Sequence, residues 1–232
     1  MSDPILAVRD LRARYGSTVV IPGIDLTVER GEVLTLLGLN GAGKTTLLKS
    51  IAGLLRHDGT VTFAGRDISR WQGNQINRAG LVYVPQINGV YAGITVGDHL
   101  RIARHFREDR RELQDEFLDW FPVLKERFRQ DAQTLSGGQR KMLSFVMALS
   151  SEPALVLLDE PTEGVAPVVR LQLVEALAKI TQRTSVVLVE QNLATAVAVG
   201  GRCHVVERGT IVESGQIRDL AADGTIERRL TV

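Results

Sequence analysis

Four short aliphatic or β-branched runs open the chain, ILAVRD, TVVI, IDLTV and EVLTLL, each ending at Gly, Pro or a charged pair as strands do. The first third is therefore expected to be strand-rich. The period changes after Gly43, where KTTLLKSIAGLL places Leu47, Leu48, Ile51 and Leu55 at helical spacing. A strand at GTVTFAG, a short helix near Gln75–Arg78 and a strand LVYV stopped by Pro85 follow. Residues 95–131 differ: charge is dense, Leu113, Phe117, Trp120, Phe121 and Leu124 recur at helical intervals, and Pro122 interrupts them. This segment reads as an inserted helical subdomain. From Pro153 onward strand and helix alternate: ALVLLDE, a helix carrying Val169, Leu173, Leu177 and Ile180 in register, SVVLVE, a helix after Asn192, then CHVVERG and TIVES. Such alternation predicts an α/β fold with a mainly parallel sheet wrapped by helices.

Composition sets limits on function. With 232 residues, 44% hydrophobic and 24% charged, the chain can bury the core of one domain with a subdomain. A net charge of +1 supplies no general field toward nucleic acid or an anionic membrane, so any polyanion has to be held locally. The single Cys203 excludes an internal disulfide, and His57, His99, His105 and His204 show no metal-ligand spacing. MSDPILAVRD has an acid where a signal peptide needs basic residues, and runs such as ALVLL are too short to cross a bilayer. The expectation is a chain that neither spans a membrane nor is secreted, in a reducing, cytoplasmic setting.

The strongest chemistry is GLNGAGKTT, Gly38 to Thr46, which fits G-x-x-x-x-G-K-[ST] directly after an apolar strand and directly before a helix. Gly38, Gly41 and Gly43, with Asn40 and Ala42 between them, let backbone N–H groups turn around phosphate oxygens at a helix start. Lys44 supplies a mobile cation to the terminal phosphates, Thr45 a hydroxyl for Mg²⁺, and Thr46 completes the loop. A dinucleotide fingerprint fits worse, because Thr46 stands where a third Gly or Ala is needed. Downstream, the apolar run ALVLL ends in two adjacent acids, and buried carboxylates are costly without a cation or a role as base. Asp159 suits the Mg²⁺ shell and Glu160 the polarisation of an attacking water. Neighbouring strand residues face opposite ways, so different roles are expected of the two acids. A second glycine-rich turn, QTLSGGQRKM, places Ser136 where it can cap a helix running from Gly137 to Leu149.

The order of a phosphate loop, Gln86 after a strand, Leu135-Ser136-Gly137-Gly138-Gln139 and LVLLDE closely resembles the ATPase subunits of ATP-binding cassette (ABC) transporters, over essentially the whole chain. The resemblance implies a P-loop NTPase with a mainly parallel core sheet, an antiparallel N-terminal β portion and the helical insert. It divides the chain into a catalytic core at 1–94 and 132–232 and a helical subdomain at 95–131 that grips a transmembrane permease subunit. It implies ATP and Mg²⁺ as cofactors, and two cassettes packed head to tail so that Ser136, Gly137, Gly138 and Gln139 cap the ATP held by the other. Tyr15 matches the aromatic that stacks on adenine, and Gln86 the residue that contacts Mg²⁺ and the attacking water. Glu160, Gln86, Gln191 and Lys44 fall at the positions of catalytic groups, and Thr45, Gln86 and Asp159 at those around the metal.

Three positions depart from the usual family pattern. Ala166 stands where an Asp is common, Met147 where a late Arg of the signature helix is common, and Gln191 where most cassettes carry a histidine facing the γ-phosphate. Gln donates a neutral hydrogen bond and cannot become cationic. VEQN together with EGVAP resembles one subgroup, the smaller ATPase of importers for branched-chain amino acids and the related importers for urea and amides. Those systems usually pair two different ATPases, and a binding protein acts through the permease. The resemblance thus implies a peripheral protein on the cytoplasmic face of the cell membrane. The competing reading is a soluble cassette of DNA repair or translation, but these usually join two cassettes or carry long coiled-coil or basic inserts, which this sequence lacks.

Overall fold

The computed structural model describes residues 3–86, 89–104 and 111–230. His105 and the middle of the expected insert lie outside the described residues. Strands β1 (Leu6–Tyr15), β2 (Thr18–Val28), β4 (His57–Phe63) and β5 (Arg66–Asp67) form an antiparallel sheet in the order β2-β1-β4-β5. Strand β3 (Val33–Leu37) belongs to a second sheet, with β6 (Leu81–Val84), β7 (Leu155–Asp159), β8 (Ser185–Glu190), β9 (Arg202–Glu207) and β10 (Thr210–Gln216), in the order β10-β9-β3-β8-β7-β6. All its pairings are parallel except the edge pair β9–β10. The α/β class with a mainly parallel core and an antiparallel N-terminal part is what the pattern and the resemblance imply.

TVVI and IDLTV are one strand. Pro22 cannot donate to a ladder, but β2 lies at the edge of its sheet, where that N–H is dispensable. Strands β7 and β8 are buried at every position, as expected of parallel strands covered on both faces. Helix α1 (Lys44–Ile51) runs from the end of β3 and stops before Leu55, which packs only partly against the core. Its buried Leu47, Leu48 and Ile51 join the antiparallel sheet to one face of the parallel sheet.

The opposite face is covered mainly by α6 (Gly137–Leu149) and α7 (Pro167–Ile180). Between β4 and α6 lie α2 (Gly73–Arg78), α3 (Val96–Arg104), α4 (Arg111–Asp119) and α5 (Pro122–Glu126), of which the last three pack on α6. The break at Pro122 is real: proline occupies the first helical position, where no N–H is needed. Helix α8 (Leu193–Val199) starts at Asn192, whose side chain accepts from the Thr195 N–H. Two terminal helices that sequence periodicity did not reveal, α9 (Ile217–Ala222) and α10 (Thr225–Leu230), bury Ile217 and Ile226 in a small cluster beside β9. That cluster includes Cys203, whose thiol is pushed up to about 12 by burial, so it is inert packing. His204 is equally structural: burial, aided by Arg202, brings it down to about 4, and its Nδ1 lies 2.7 Å from Ser214 Oγ.

Candidate functional site

The loop between β3 and α1 surrounds a cleft of about 420 Å³, lined by residues 40–46 together with Val20, Gln86 and Glu160. Its glycines serve for different reasons. A Cβ on Gly38 would lie 2.3 Å from the Val206 carbonyl oxygen, so glycine there lets the loop cross the end of β9. Gly43 caps α1 at φ +100°, and a Cβ would also meet Ile21 at 2.9 Å. The first N–H groups of α1, those of Lys44, Thr45 and Thr46, have no partner inside the helix and belong to the cleft wall. A strand-to-helix loop of this form is a ready anion site.

Lys44 is buried, and its ammonium donates to the carbonyl oxygens of Gly38 at 2.6 Å and Leu39 at 3.0 Å. It also pairs with Glu160 at 3.4 Å. The lysine thus clamps the loop and faces the second acid.

Asp159 ends β7 and is buried. Its two oxygens accept from Thr45 Oγ1 at 3.0 Å and from the Tyr83 hydroxyl at 2.9 Å. Burial raises its carboxyl above the ordinary range, against the Tyr83 and Thr45 hydrogen bonds and the charges of Lys49 and Lys44. Burial also pushes the Tyr83 phenol upward, helped by the adjacent Asp159, so Tyr83 stays protonated as a donor.

Glu160 points elsewhere, for a reason strand alternation does not supply. It lies beyond the strand with φ +48°, in the left-handed region, and this kink turns its side chain toward Lys44 and Gln86. Gln86 Nε2 donates to Glu160 Oε2 at 2.9 Å and also to the Glu163 carboxylate. Burial raises the Glu160 carboxyl, Lys44 opposes that, and Glu163 reinforces it. The turn carrying Glu160 is held by Glu190, which accepts from Thr162 Oγ1 at 2.8 Å, and by Lys141, which donates to the Glu160 carbonyl oxygen.

The structure brings Lys44, Thr45, Asp159, Glu160 and Gln86 together, with Gln86 bonded to Glu160 rather than to the Thr45–Asp159 pair. Tyr15, at the end of β1, is 49% exposed, while Val20 across the hairpin reaches the cleft wall. Gln191 follows β8, is exposed, and is not among the cleft-lining residues. Ser136, Gly137, Gly138 and Gln139 open α6 apart from the cleft walls. Ser136 Oγ accepts from the Gln139 N–H at 3.3 Å while Gln139 Oε1 accepts from the Ser136 N–H at 3.0 Å, a reciprocal capping box. Sequence reasoning missed Tyr83, Glu163 and Lys141. Tyr83 had a signal, a polar-tipped aromatic in the apolar strand LVYV.

Residues 21–163 match the family model described as ABC transporter. A high-affinity branched-chain amino acid transport ATP-binding protein, BraG of Pseudomonas aeruginosa, is 36% identical over 202 residues, covering 85% of this chain and 87% of BraG. The lipopolysaccharide export system ATP-binding protein LptB of Haemophilus influenzae is 32% identical, covering 97% and 95%. A solved ATP-binding subunit of an ABC transporter superposes with a TM-score of 0.83 at 27% identity, over 96% of this chain and 94% of that one. The cleft at the phosphate loop, the two acids at the end of β7 and these likenesses lead to one conclusion: the chain belongs to the ABC transporter family and is an ATPase subunit that binds and hydrolyses ATP to power transport.

Proposed function

We propose that this chain energises an importer of branched-chain amino acids, or of urea or amides, from the cytoplasmic face of the membrane. The cargo reading rests on VEQN and EGVAP and on the likeness to BraG. Permease subunits hold the chain there, gripped through 95–131, with the remainder as catalytic core. In keeping with this, no helix among the described residues is long and apolar enough to cross a membrane. The direct partners are the permease and a second cassette, with a binding protein acting indirectly and no nucleic acid.

In the proposed site the loop from Gly38 to Thr46 cradles the phosphates, Tyr15 stacks on adenine, and Glu160 accepts a proton from the attacking water. Lys44 balances charge on the transferred phosphoryl group, and Gln86 orients the water through its hydrogen bond to Glu160. Exposed Gln191 adds a neutral donor to the γ-phosphate. The donor set suits Mg²⁺, a hard cation that takes oxygen ligands: Thr45 Oγ1 and Asp159 Oδ1, 3.0 Å apart, would hold the ion, with Gln86 nearby. Bound there, the ion would neutralise phosphate charge. Signature residues 136–139 close over ATP on the partner cassette.

The observation that carries this reading is the buried Lys44–Glu160 pair with the half-buried Gln86 bonded to it on the cleft wall. Glu160→Gln should retain ATP binding and lose turnover by about 10² or more, since only the base is removed. Wild-type turnover in that variant would remove Glu160 from the chemistry. For cargo, deletion of the gene followed by uptake of labelled leucine, urea and an aliphatic amide is expected to abolish one of the three. Normal uptake of all three, with a loss of outward lipid transport instead, would put export of the kind named for LptB in place of import.

A further inference from the structure

Lys141 lies two residues beyond the signature, on α6, and its side chain leaves the helix toward the turn that follows β7. Its ammonium donates to the main-chain carbonyl oxygens of Glu160 at 2.8 Å and Glu163 at 2.7 Å. These two residues bracket a tight turn closed by the Glu163 N–H donating to the Glu160 carbonyl at 3.2 Å. Within that turn Glu160 holds φ +48°, a backbone state that costs a non-glycine residue about 1–3 kcal/mol and persists only where its surroundings enforce it. On one side Glu190 of β8 enforces it through Thr162, and on the other Lys141 does. Half-burying a lysine is itself costly, and burial lowers the Lys141 ammonium while Glu163, Glu190, Glu160 and Asp159 hold it up.

We propose that Lys141 is a positioning residue for ATP hydrolysis: from the signature helix it fixes the main chain that aims Glu160. The same helix thus presents Ser136 and Gly137 at its N-terminus and, five residues after Ser136, holds the base of its own chain. Closure of the signature on a partner's nucleotide is thereby tied to the alignment of Glu160. The proposal rests on the reading of Glu160 as base, so the test includes Glu160→Gln.

Lys141→Met in the assembled transporter should lower kcat ten- to a hundredfold, roughly the effect of a misaimed catalytic group, with KM for ATP within about twofold. Lys141→Arg, which keeps cationic donors in reach of the two carbonyl oxygens, should recover most of the turnover. Lys141→Gln, which keeps a donor, should lose less kcat than the methionine variant, and it serves if the methionine variant folds poorly. Wild-type turnover in both Met and Gln variants, beside an inactive Glu160→Gln, would overturn the proposal. So would a loss in which KM for ATP rises as kcat falls and arginine recovers nothing, which marks a purely structural tie. A fully active Glu160→Gln would instead remove the base reading itself.

Discussion

Two helices begin at glycine-rich turns, and they treat their N-termini in opposite ways. Helix α1 is capped by Gly43, which has no side chain to satisfy the first N–H groups, and those groups face the cleft. Helix α6 satisfies its own start: Ser136 and Gln139 exchange hydrogen bonds in a closed capping box, leaving the Gly137 and Gly138 N–H groups over. Both ends carry the same dipole, so the dipole does not separate them. What separates them is that α1 has no side chain to meet its first donors, whereas α6 meets part of its own need through the Ser136–Gln139 box. On the proposed reading the phosphate loop is therefore a site in the isolated chain, and the signature becomes one on assembly.

The largest expected effect tests that division. Lys44→Ala in the isolated chain should weaken ATP binding by at least about a hundredfold, since two charge-assisted phosphate contacts at about 1.5–3 kcal/mol each are lost. Ser136→Arg should leave that affinity within about twofold while blocking ATP-driven dimer formation and turnover. Titration calorimetry on the monomer and light scattering with ATP read the two halves. If both variants lost binding as dilute monomers, the signature would belong to the chain's own nucleotide and the contrast would collapse.

How far this was legible follows from what each feature depends on. GLNGAGKTT, ALVLLDE and LSGGQ are local patterns whose chemistry is contained in a few consecutive residues, and the helix start at Ser136 and its run to Leu149 follow from capping rules. The lysine at 141 and the tyrosine at 83 acquire their meaning from partners 19 and 76 positions away, respectively, and no spacing along the chain carries that. Alternation along β7 predicts that Asp159 and Glu160 face different ways; they do meet different partners, but because a left-handed residue just past the strand resets the direction. Helices α9 and α10 were hidden because each is six residues long, too short for a periodic signal, and is held by tertiary burial of Ile217 and Ile226. The merged β2 was hidden because an internal proline reads as a break unless the strand is known to lie at an edge.

The two signature glycines sharpen the comparison at smaller amplitude. A Cβ on Gly138 would meet Val169 of α7 at 2.9 Å, whereas a Cβ on Gly137 meets nothing within 4 Å. Gly138→Ala should therefore cost about 1–3 kcal/mol of stability through overpacking, a fall of several degrees in Tm for a chain of this size. Gly137→Ala should leave Tm unchanged or slightly raised, since alanine is the better helix residue, and should slow only the assembled ATPase. Thermal melts of both variants decide it. Equal destabilisation would mean that both glycines are there for packing and neither is kept free for a partner's phosphate.

The smallest effect concerns Gln191, a donor belonging to neither helix. It is exposed after β8, outside the cleft walls, while its neighbour Glu190 is buried and pins the turn that carries Glu160. If Gln191 reaches the γ-phosphate as a single neutral donor, Gln191→Ala removes about 0.5–1.5 kcal/mol, a three- to tenfold loss of turnover. That is well below the loss at Glu160 or Lys44, and it should fall on kcat rather than on monomer affinity, because the contact is one of the closed complex. Glutamine does not titrate, so the profile between about pH 6 and 8 should keep its shape in the variant, whereas Gln191→His should introduce a new ionisation there. The measurement belongs in the complete transporter, with the partner ATPase carrying its own base-to-amide change so that only this chain's Lys44 site turns over. Unchanged kcat for Gln191→Ala together with a flat response to Gln191→His would leave the γ-phosphate to the α1 N-terminus, Lys44 and the partner's signature alone.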